Sequence, residues 1–422
     1  MRAMTAATAP SEPTESPVPL RQDAKVIALV GLAHAISHFS HLLLPPMFPL
    51  FMTQFDLSFS QVGFLVSVFF VISGSGQMLS GFVVDRVGAR PVLFATLVLF
   101  AMSAISAASA TGYTGLLLSA ALAGLGNAPY HPIDYTILNQ RVSAPRLGYA
   151  FSAHGLTGNL GWALTPVWLV AWTAWFDWRV AYLSAAVLYM VVLAILFINR
   201  DLLKTDTVVR STEPHAESEL AFLKLPVVWW CFGYFLLSTM TLSVVQSYAP
   251  SILKAVHGVG LQAASLTLTA YMLCAAAGVL LGGFVAARHA QRSEKVVAMA
   301  MACGALLLLL CATGTLGATG TMAGLAVTGF AIGVGGPSRD MMIKRATPKG
   351  ATGRVYGTVY SGLDVGFALA PLAFGVLMDN GWFAMTLTGA AFTLLCSVGA
   401  ALMVGKLTQA AARPVFDSRS QS

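Results

Sequence analysis

Long charge-free segments dominate the pattern of polar and apolar residues along this chain. Ten segments contain either no Asp, Glu, Lys or Arg or a single acid, and each is long enough for a membrane-spanning helix of ~20 residues. Two of them are long enough for two helices, with glycine-containing breaks near 112–115 and 317–320. The pattern therefore predicts twelve transmembrane helices. The segments are 26–52, 61–84, 91–133, 147–176, 180–199, 225–253, 260–287, 296–338, 355–378 and 380–405.

Charged residues are too scarce for a soluble protein of this length. Of the 422 residues, 57% are hydrophobic and 10% are charged, whereas soluble domains carry roughly 25% charged residues. We therefore predict an all-α membrane protein. The cysteines all lie in apolar segments, where we interpret them as packing residues rather than as a disulfide framework or a metal site. They are Cys231, Cys274, Cys303, Cys311 and Cys396.

The basic residues predict the orientation of the helices. If the N-terminus is cytoplasmic, all but three of the 24 Lys and Arg residues fall in or beside cytoplasmic segments, as the excess of positive charge in cytoplasmic loops requires. The exceptions are Arg179 and Lys254 outside, and Arg339 within a helix. The net charge of +7 suits the anionic headgroups of a lipid bilayer and requires no nucleic acid partner.

Polar segments divide the chain into five parts. Residues 1–24 are rich in Pro, Ser, Thr and Ala and do not resemble a cleavable signal peptide, so we predict a disordered cytosolic tail. Residues 201–224 carry mixed charges and are predicted to link two halves, 25–200 and 225–405. Residues 406–422 are predicted to form a second cytosolic tail.

A repeated pattern relates these two halves. The segment from Gly76 to Arg90 aligns with the segment from Gly278 to Arg292, where glycines and arginines recur in the same order. A second aligned pair begins at Gly148 and Gly353. Homologous halves favour a transporter built from internal repeats, with its site between them. The expected architecture is two pseudo-symmetric six-helix bundles.

One short loop between two apolar segments carries a specific motif. It reads G-x-x-x-D-R-x-G-x-R, formed by Gly81, Asp85, Arg86, Gly88 and Arg90. This order resembles the signature loop of the major facilitator superfamily, between its second and third helices. The resemblance implies that the five residues act in gating, and that Asp85 meets the start of helix 11 at residues 353–354. A carboxylate is favoured at a helix N-terminus, and this contact would hold the two halves together in the outward-facing state.

Helix 1 contains three histidines on one face. His34, His38 and His41 are spaced i, i+4, i+7, and imidazoles facing lipid would be costly, so this face is predicted to line the interior or a cavity. All three are candidate substrate-binding residues, and His38 is also a candidate proton carrier. The alternative is that one or two only satisfy neighbouring polar groups. No Cys or carboxylate completes a metal site locally, so no metal is predicted. The prolines that follow predict a bend.

Helix 4 carries a second polar face, formed by Asn127, His131 and Asp134. Asp134 lies ~10 Å inside the helix end by helical rise, and an intramembrane carboxylate is a functional candidate by default. Asp134 and His131 are candidates for proton coupling, and Asn127 and His131 for substrate binding. The alternative is a structural pair between Asp134 and His154 or Arg141. Prolines on either side of His131 predict a loosened backbone.

The histidines and prolines of helix 1, taken with the Tyr130-His131-Pro132 sequence of helix 4, resemble the fosmidomycin-resistance type of the superfamily. The resemblance covers mainly the first half. Helix 5 carries glycines three residues apart, at 155, 158 and 161, which predict close helix packing.

The second half offers four further candidates. Arg339 lies inside helix 10, where its guanidinium fork suits an anionic substrate; the alternatives are ion pairs with Asp340 or Asp364. Tyr234 and Tyr360 are the other candidate substrate-binding residues. Asp364 lies ~16 Å inside helix 11 by helical rise, and it is the second candidate for proton coupling.

We therefore expect a proton-driven transporter of the bacterial inner membrane, monomeric and with both termini cytoplasmic. No phosphate-binding loop is present, so neither a nucleotide nor another cofactor is predicted. Export of a small organic compound, anionic if Arg339 contacts it, is the first hypothesis. Uptake of an organic acid or another metabolite is the second. A membrane-embedded enzyme or receptor is the third, and its only support is Ser37 and Ser40 beside the histidines.

Overall fold

The protein is described by a computed structural model that covers residues 19–206, 221–347 and 352–412. Its secondary structure in these ranges is helical, with fourteen α-helices and no strand. The helices are α1 Leu20–His41, α2 Phe48–Phe55, α3 Phe59–Val87, α4 Ala89–Ala108, α5 Tyr113–Asn127, α6 Tyr130–Arg141, α7 Leu147–Trp175, α8 Trp178–Ile198, α9 Pro226–His257, α10 Leu261–Arg288, α11 Ser293–Ala312, α12 Gly317–Ala346, α13 Thr352–Asp379 and α14 Phe383–Ala412.

Ten helical segments in the described ranges are long and apolar enough to cross a membrane. They coincide with ten of the twelve predicted segments. The other two correspond to α5–α6 and to α7. Helices α5 and α6 are separated at Ala128–Pro129, so neither is long enough alone, and α7 is rich in glycine, tryptophan and polar residues that lower its hydropathy.

Proline and glycine set the breaks between helices. Helix α1 ends at His41, and a 3₁₀ turn at Pro45–Met47 precedes α2, which confirms the predicted bend in helix 1. The turn between α3 and α4 is made by Gly88, whose φ of +88° is unfavourable for a residue with a side chain. Helix α3 has its own N-terminal capping box, in which Ser58 and Gln61 bond each other's backbone N–H groups.

Buried apolar side chains form two clusters. The first lies within residues 26–203 and the second within residues 228–404. Each cluster also takes in side chains from the other part of the chain: Phe367 and Ala368 pack into the first, and Leu42 and Ala163 pack into the second. Phe367, Ala368 and Ala163 lie on helices that cross between the clusters, since α3 packs on α13 and α7 packs on α10. Leu42 follows the end of α1.

The α3–α13 interface is close along its middle. The Ser67 hydroxyl donates a hydrogen bond of 2.7 Å to the carbonyl oxygen of Ala368. The rings of Phe70 and Phe367 stack, with centroids 4.2 Å apart and planes 6° apart. We call the end of the molecule that holds the α3–α4 turn the inner end, and the opposite end the outer end.

Candidate functional site

A buried carboxylate lies between two histidines at the centre of the first half. Oδ2 of Asp134 on α6 is 2.9 Å from Nδ1 of His34 on α1 and 3.0 Å from Nε2 of His154 on α7. Asp134 is 0% exposed, and both imidazoles are buried. An ionised carboxylate only accepts hydrogen bonds, so both ring nitrogens then carry a hydrogen. Three helices thus meet at one oxygen atom.

The charge balance of this cluster depends on one proton. Arg141, the alternative partner considered for Asp134, instead donates to the carbonyl oxygens of Leu202 and Asp201. No Lys or Arg pairs with Asp134 among the described residues. The cluster is therefore neutral when Asp134 is ionised and one imidazole is protonated, or when all three groups are uncharged. A further proton gives it a net positive charge, and loss of one gives it a net negative charge.

The other carboxylate oxygen and a nitrogen of one neighbouring imidazole lack hydrogen-bond partners among the described residues. Asp134 Oδ1 and His38 Nδ1 are buried without a hydrogen-bond partner among the described residues. Such atoms are costly to bury. The His38 ring lies between His34 and His41, with centroid distances of 4.5 and 4.8 Å, and 4.2 Å from the ring of Trp162. The prediction that the three helix 1 histidines share an interior face is confirmed.

Asn127 organises the outer side of this cluster. Its Oδ1 accepts a hydrogen bond of 2.6 Å from the Ser37 hydroxyl and lies 3.0 Å from Nε2 of His41. Its Nδ2 donates to the Ser73 hydroxyl at 2.8 Å. The Trp162 indole N–H faces Nδ1 of His41 at 3.4 Å. Helices α1, α3, α5 and α7 are joined by this network.

His131 completes the polar face predicted for helix 4. Its Nδ1 lies 3.0 Å from Oε1 of Gln77 on α3, and its ring centroid is 5.9 Å from that of His34. His131 therefore lies next to the Asp134 cluster without bonding to it directly. Sequence reasoning placed His154 only as an alternative structural partner, and it did not identify Trp162, Gln77 or Ser73.

The candidate site residues of the second half include one guanidinium group. Arg339 on α12 donates from Nε to Oδ1 of Asp340 at 2.9 Å. Of the two ion pairs considered for Arg339, with Asp340 or with Asp364, the structure contains the pair with Asp340. The Tyr360 hydroxyl donates to the same oxygen at 3.3 Å. The guanidinium lies 5.1 Å from the ring centroid of Phe235, and Phe235 packs against buried Tyr234 at 5.7 Å. Among the described residues, neither Nη atom of Arg339 takes part in a hydrogen bond or ion pair.

Asp364 lies at the α3–α13 interface. It is half-buried, and a Cβ atom added to Gly74 on α3 would come within 2.9 Å of its Cβ atom. No ion pair involves Asp364 among the described residues. The carboxylate therefore lies where one half of the chain contacts the other.

The motif loop is exposed at the inner end. Asp85 and Arg86 are exposed, and Gly81 has open space around it. Arg90 donates to the carbonyl oxygen of Arg200 at 3.3 Å. The backbone N–H of Ala89, beside Gly88, donates to the Thr205 hydroxyl at 2.9 Å. The expected partner of Asp85 at residues 353–354 has side chains outside the described residues.

The donors of His34, Asp134 and His154 lie within 4.8 Å of one another, which is close enough to consider a metal ion. Tetrahedral coordination with bonds of ~2.1 Å would separate ligand atoms by about 3.4 Å. The two imidazole–carboxylate distances are instead 2.9 and 3.0 Å, and direct hydrogen bonds account for them. We therefore interpret the cluster as a hydrogen-bonded group of side chains.

Comparison with known proteins relates this chain to transporters. It is 26% identical over 269 residues to the fosmidomycin resistance protein of Escherichia coli K12, covering 61% of this chain and 64% of that protein. It is 24% identical over 273 residues to the hexuronate transporter of Bacillus subtilis 168, covering 62% and 63%. The matched segments span less than two thirds of either relative.

The fold has a close counterpart among solved structures. A bacterial homologue of the human lysosomal transporter Spinster, solved in an inward-facing and unoccupied conformation, superposes with a TM-score of 0.72 at 14% identity, covering 93% of this chain and 98% of that one. The sequence model of the Major Facilitator Superfamily matches residues 30–319 and 252–419. Members of that family are transporters and not enzymes. The chain, with ten candidate membrane spans in its described residues, therefore belongs to the Major Facilitator Superfamily.

Proposed function

We propose that this protein is a proton-coupled secondary transporter that exports a small organic anion across the bacterial inner membrane by alternating access. Twelve transmembrane helices are arranged as two six-helix bundles, 25–200 and 225–405. Residues 201–224 link the bundles, and the transporter acts as a monomer. The predicted tails are shorter than expected, because residues 20–24 already belong to α1 and residues 406–412 to α14. Residues 1–18, 207–220 and 413–422, on which the rest of the tail and linker predictions fall, lie outside the described residues. In this arrangement the α5–α6 pair forms the fourth helix and α7 the fifth.

The observation that carries proton coupling is the position of Asp134 between His34 and His154, without a Lys or Arg partner among the described residues. Gain or loss of one proton changes the charge of a buried group, and an uncompensated charge is costly in the protein interior. Proton binding can therefore shift the relative populations of two conformations. His131 and His38 lie next to the cluster, with ring centroids 5.9 and 4.5 Å from that of His34. They are further proposed proton carriers. Asp364 at the α3–α13 interface is the second proposed proton site.

An anionic substrate is supported by Arg339. Its two Nη atoms form a fork suited to a carboxylate, sulfonate or phosphonate, and the 31% exposure of its side chain leaves it accessible. The relative from Bacillus subtilis is named for hexuronate, which is itself a carboxylate. In our proposal Tyr234 and Tyr360 line the substrate site beside Arg339, opposite His34, His38, His41, Asn127 and His131. Export is favoured over uptake because the relative from Escherichia coli is named for antibiotic resistance.

The test is flux in proteoliposomes that contain the purified protein and a pH-sensitive dye. Fosmidomycin and a hexuronate serve as the first two probes, each added with and without an imposed pH gradient. We expect gradient-dependent substrate movement with matching proton movement, lost in Asp134→Asn and reduced in Asp364→Asn. Asp177→Asn, which alters an exposed acid at the outer end, is the matched control. Flux that is unchanged in both test variants would contradict the proposed coupling.

A further inference from the structure

The outer ends of α3 and α13 are joined by one carboxylate. Asp379, the last residue of α13, accepts hydrogen bonds from the backbone N–H groups of Phe59 at 2.6 Å and Ser60 at 3.1 Å. These are the first two residues of α3. The bond therefore links the N-terminus of a helix in the first half to the C-terminus of a helix in the second half, across 320 positions of sequence.

Helix α3 does not need Asp379 in order to form. The Ser58–Gln61 capping box already satisfies the backbone N–H of Gln61 and that of Ser58. Asp379 adds its two bonds to N–H groups that would otherwise face water, where the helix dipole also favours an anion. If the two halves separated here, water could replace the carboxylate and α3 would keep its own cap. The contact is thus suited to being made and broken.

Neighbouring contacts would be broken by the same separation. The buried Tyr248 hydroxyl on α9 approaches the carbonyl oxygen of Phe59 at 3.4 Å across the two halves, whereas its bond of 2.9 Å to the carbonyl oxygen of Pro371 lies within the second half and would remain. The Phe59 ring contacts Phe383 with centroids 6.2 Å apart. The 3₁₀ turn at Pro45–Met47 also packs on α9 at this end. By contrast, Asp340 near the inner end is half exposed. The contacts of Asp379 and Phe59 hold the two halves together at the outer end.

We propose that Asp379 is the outer gate residue of the transport cycle, which holds the first half against the second while the inner side is open. The inference rests on the alternating-access transport proposed above. In the outward-open state the carboxylate releases the N–H groups of Phe59 and Ser60, and α3 and α13 separate at their outer ends. Removing the carboxylate then shifts the population toward the outward-open state.

The chain provides a matched control in Asp177. This residue also caps a helix at the outer end, where its Oδ1 accepts from the backbone N–H groups of Arg179 at 2.6 Å and Val180 at 3.0 Å. The chemistry is the same, but donor and acceptor both belong to the first half. Asp177→Ala removes an outer helix cap without removing a contact between the halves.

The experiment measures distances between spin labels in the purified protein, in lipid nanodiscs without substrate and at one fixed pH. Labels are placed on cysteines introduced at exposed Gln54 on α2 and exposed Gln262 on α10, after the five native cysteines have been replaced. In Asp379→Ala we expect the long-distance population to rise several-fold. Asp379→Asn keeps one acceptor oxygen and should give a smaller rise. Asp177→Ala should match the labelled protein that carries neither Asp substitution.

Two results would overturn the gate assignment. One is a distance distribution in Asp379→Ala that matches the unsubstituted labelled protein. The other is an equal shift in Asp177→Ala, which would indicate general loosening of the fold. Because no substrate or pH gradient is used, a failure of the flux assays leaves this measurement interpretable. Conversely, proton-coupled flux with unchanged distances would reject the role of Asp379 alone.

Discussion

His41 and Asn127 form a hydrogen bond that fixes the tautomer of the imidazole. The Asn127 oxygen also accepts from Ser37, and its nitrogen donates to Ser73, so Oδ1 is the acceptor and Nε2 of His41 carries the hydrogen at 3.0 Å. The other ring nitrogen then accepts from the Trp162 indole, which is only a donor. A proton added at Nδ1 would face the indole N–H. His41 is therefore held neutral.

We predict that His41→Gln keeps the number of protons moved per substrate and changes only substrate binding. Glutamine can donate and accept a hydrogen bond as a neutral imidazole does, but it cannot take up a proton in this pH range. His38→Gln is the comparison, because Nδ1 of His38 has no hydrogen-bond partner among the described residues, and we expect it to reduce coupled flux. The measurement is the number of protons moved per substrate in proteoliposomes. A lower ratio in His41→Gln would show that this histidine carries protons.

The sequence predicts relationships along one helix better than those between helices. Helical periodicity alone places His34, His38 and His41 on one face, and the structure confirms it. It cannot choose between His154 and Arg141 as the partner of Asp134, because that choice depends on how α7 crosses α1. Gly158 allows α7 to pack closely on α1, because a Cβ atom at this position would lie within 3.1 Å of both His34 and His38. The predicted close packing of helix 5 is therefore confirmed at Gly158 and Gly161, whereas Gly155 has open space around it.

The same site explains why hydropathy identifies only ten of the twelve predicted spans in the described residues. The two segments outside the ten, α5–α6 and α7, contain Asp134, His131 and His154. Polar groups and backbone breaks lower the hydropathy of a helix that lines an interior site. Contacts across long sequence separations, such as that of Asp379 with Phe59, leave no periodic signal in either helix. They depend on the assembled arrangement of α3 and α13.

Replacing Arg339 should weaken the binding of an anionic substrate. Arg339→Gln removes the charge and the fork, and we expect KM to rise about tenfold or more, since a hydrogen bond to a charged group contributes ~1.5–3 kcal/mol. Arg339→Lys keeps the charge without the fork and should be intermediate. Lys344→Gln, an exposed basic residue on the same helix, is the control. Equal KM values for Arg339→Gln and the control would exclude a substrate contact.

Close packing of α10 on α12 should make Gly333 sensitive to a single methyl group. A Cβ atom added there would collide with the backbone carbonyl oxygen of Ala275, and one added at Gly282 would collide with that of Val334. We expect Gly333→Ala to lower stability by about 1–3 kcal/mol, as overpacking does. Gly283→Ala has open space around it and should be neutral. Thermal unfolding in detergent measures both, and similar melting temperatures would contradict this account of the helix contact.

Glu294 and Arg345 allow a test of how a buried charge is satisfied at the inner end of the second half. The Glu294 carboxylate is 4% exposed and accepts from Nη1 of Arg345 at 3.2 Å and from Nε2 of Gln409 at 3.1 Å. Arg345→Gln leaves this carboxylate without its cation. Because the arginine itself is 28% exposed, we expect a loss of about 2–3 kcal/mol, somewhat less than for a fully buried pair.

Removing the acid as well should restore part of that loss. In the double variant Glu294→Gln with Arg345→Gln, the buried group is an uncharged amide that can still bond Gln409, so stability should exceed that of Arg345→Gln alone. A double-mutant cycle based on thermal unfolding isolates the pairwise contribution. Arg288→Gln, an exposed arginine on α10, shows the effect of losing a surface charge. If the double variant were no more stable than Arg345→Gln, the cost would come from the arginine's bonds to Ala290 and Ser293 and not from an uncompensated carboxylate.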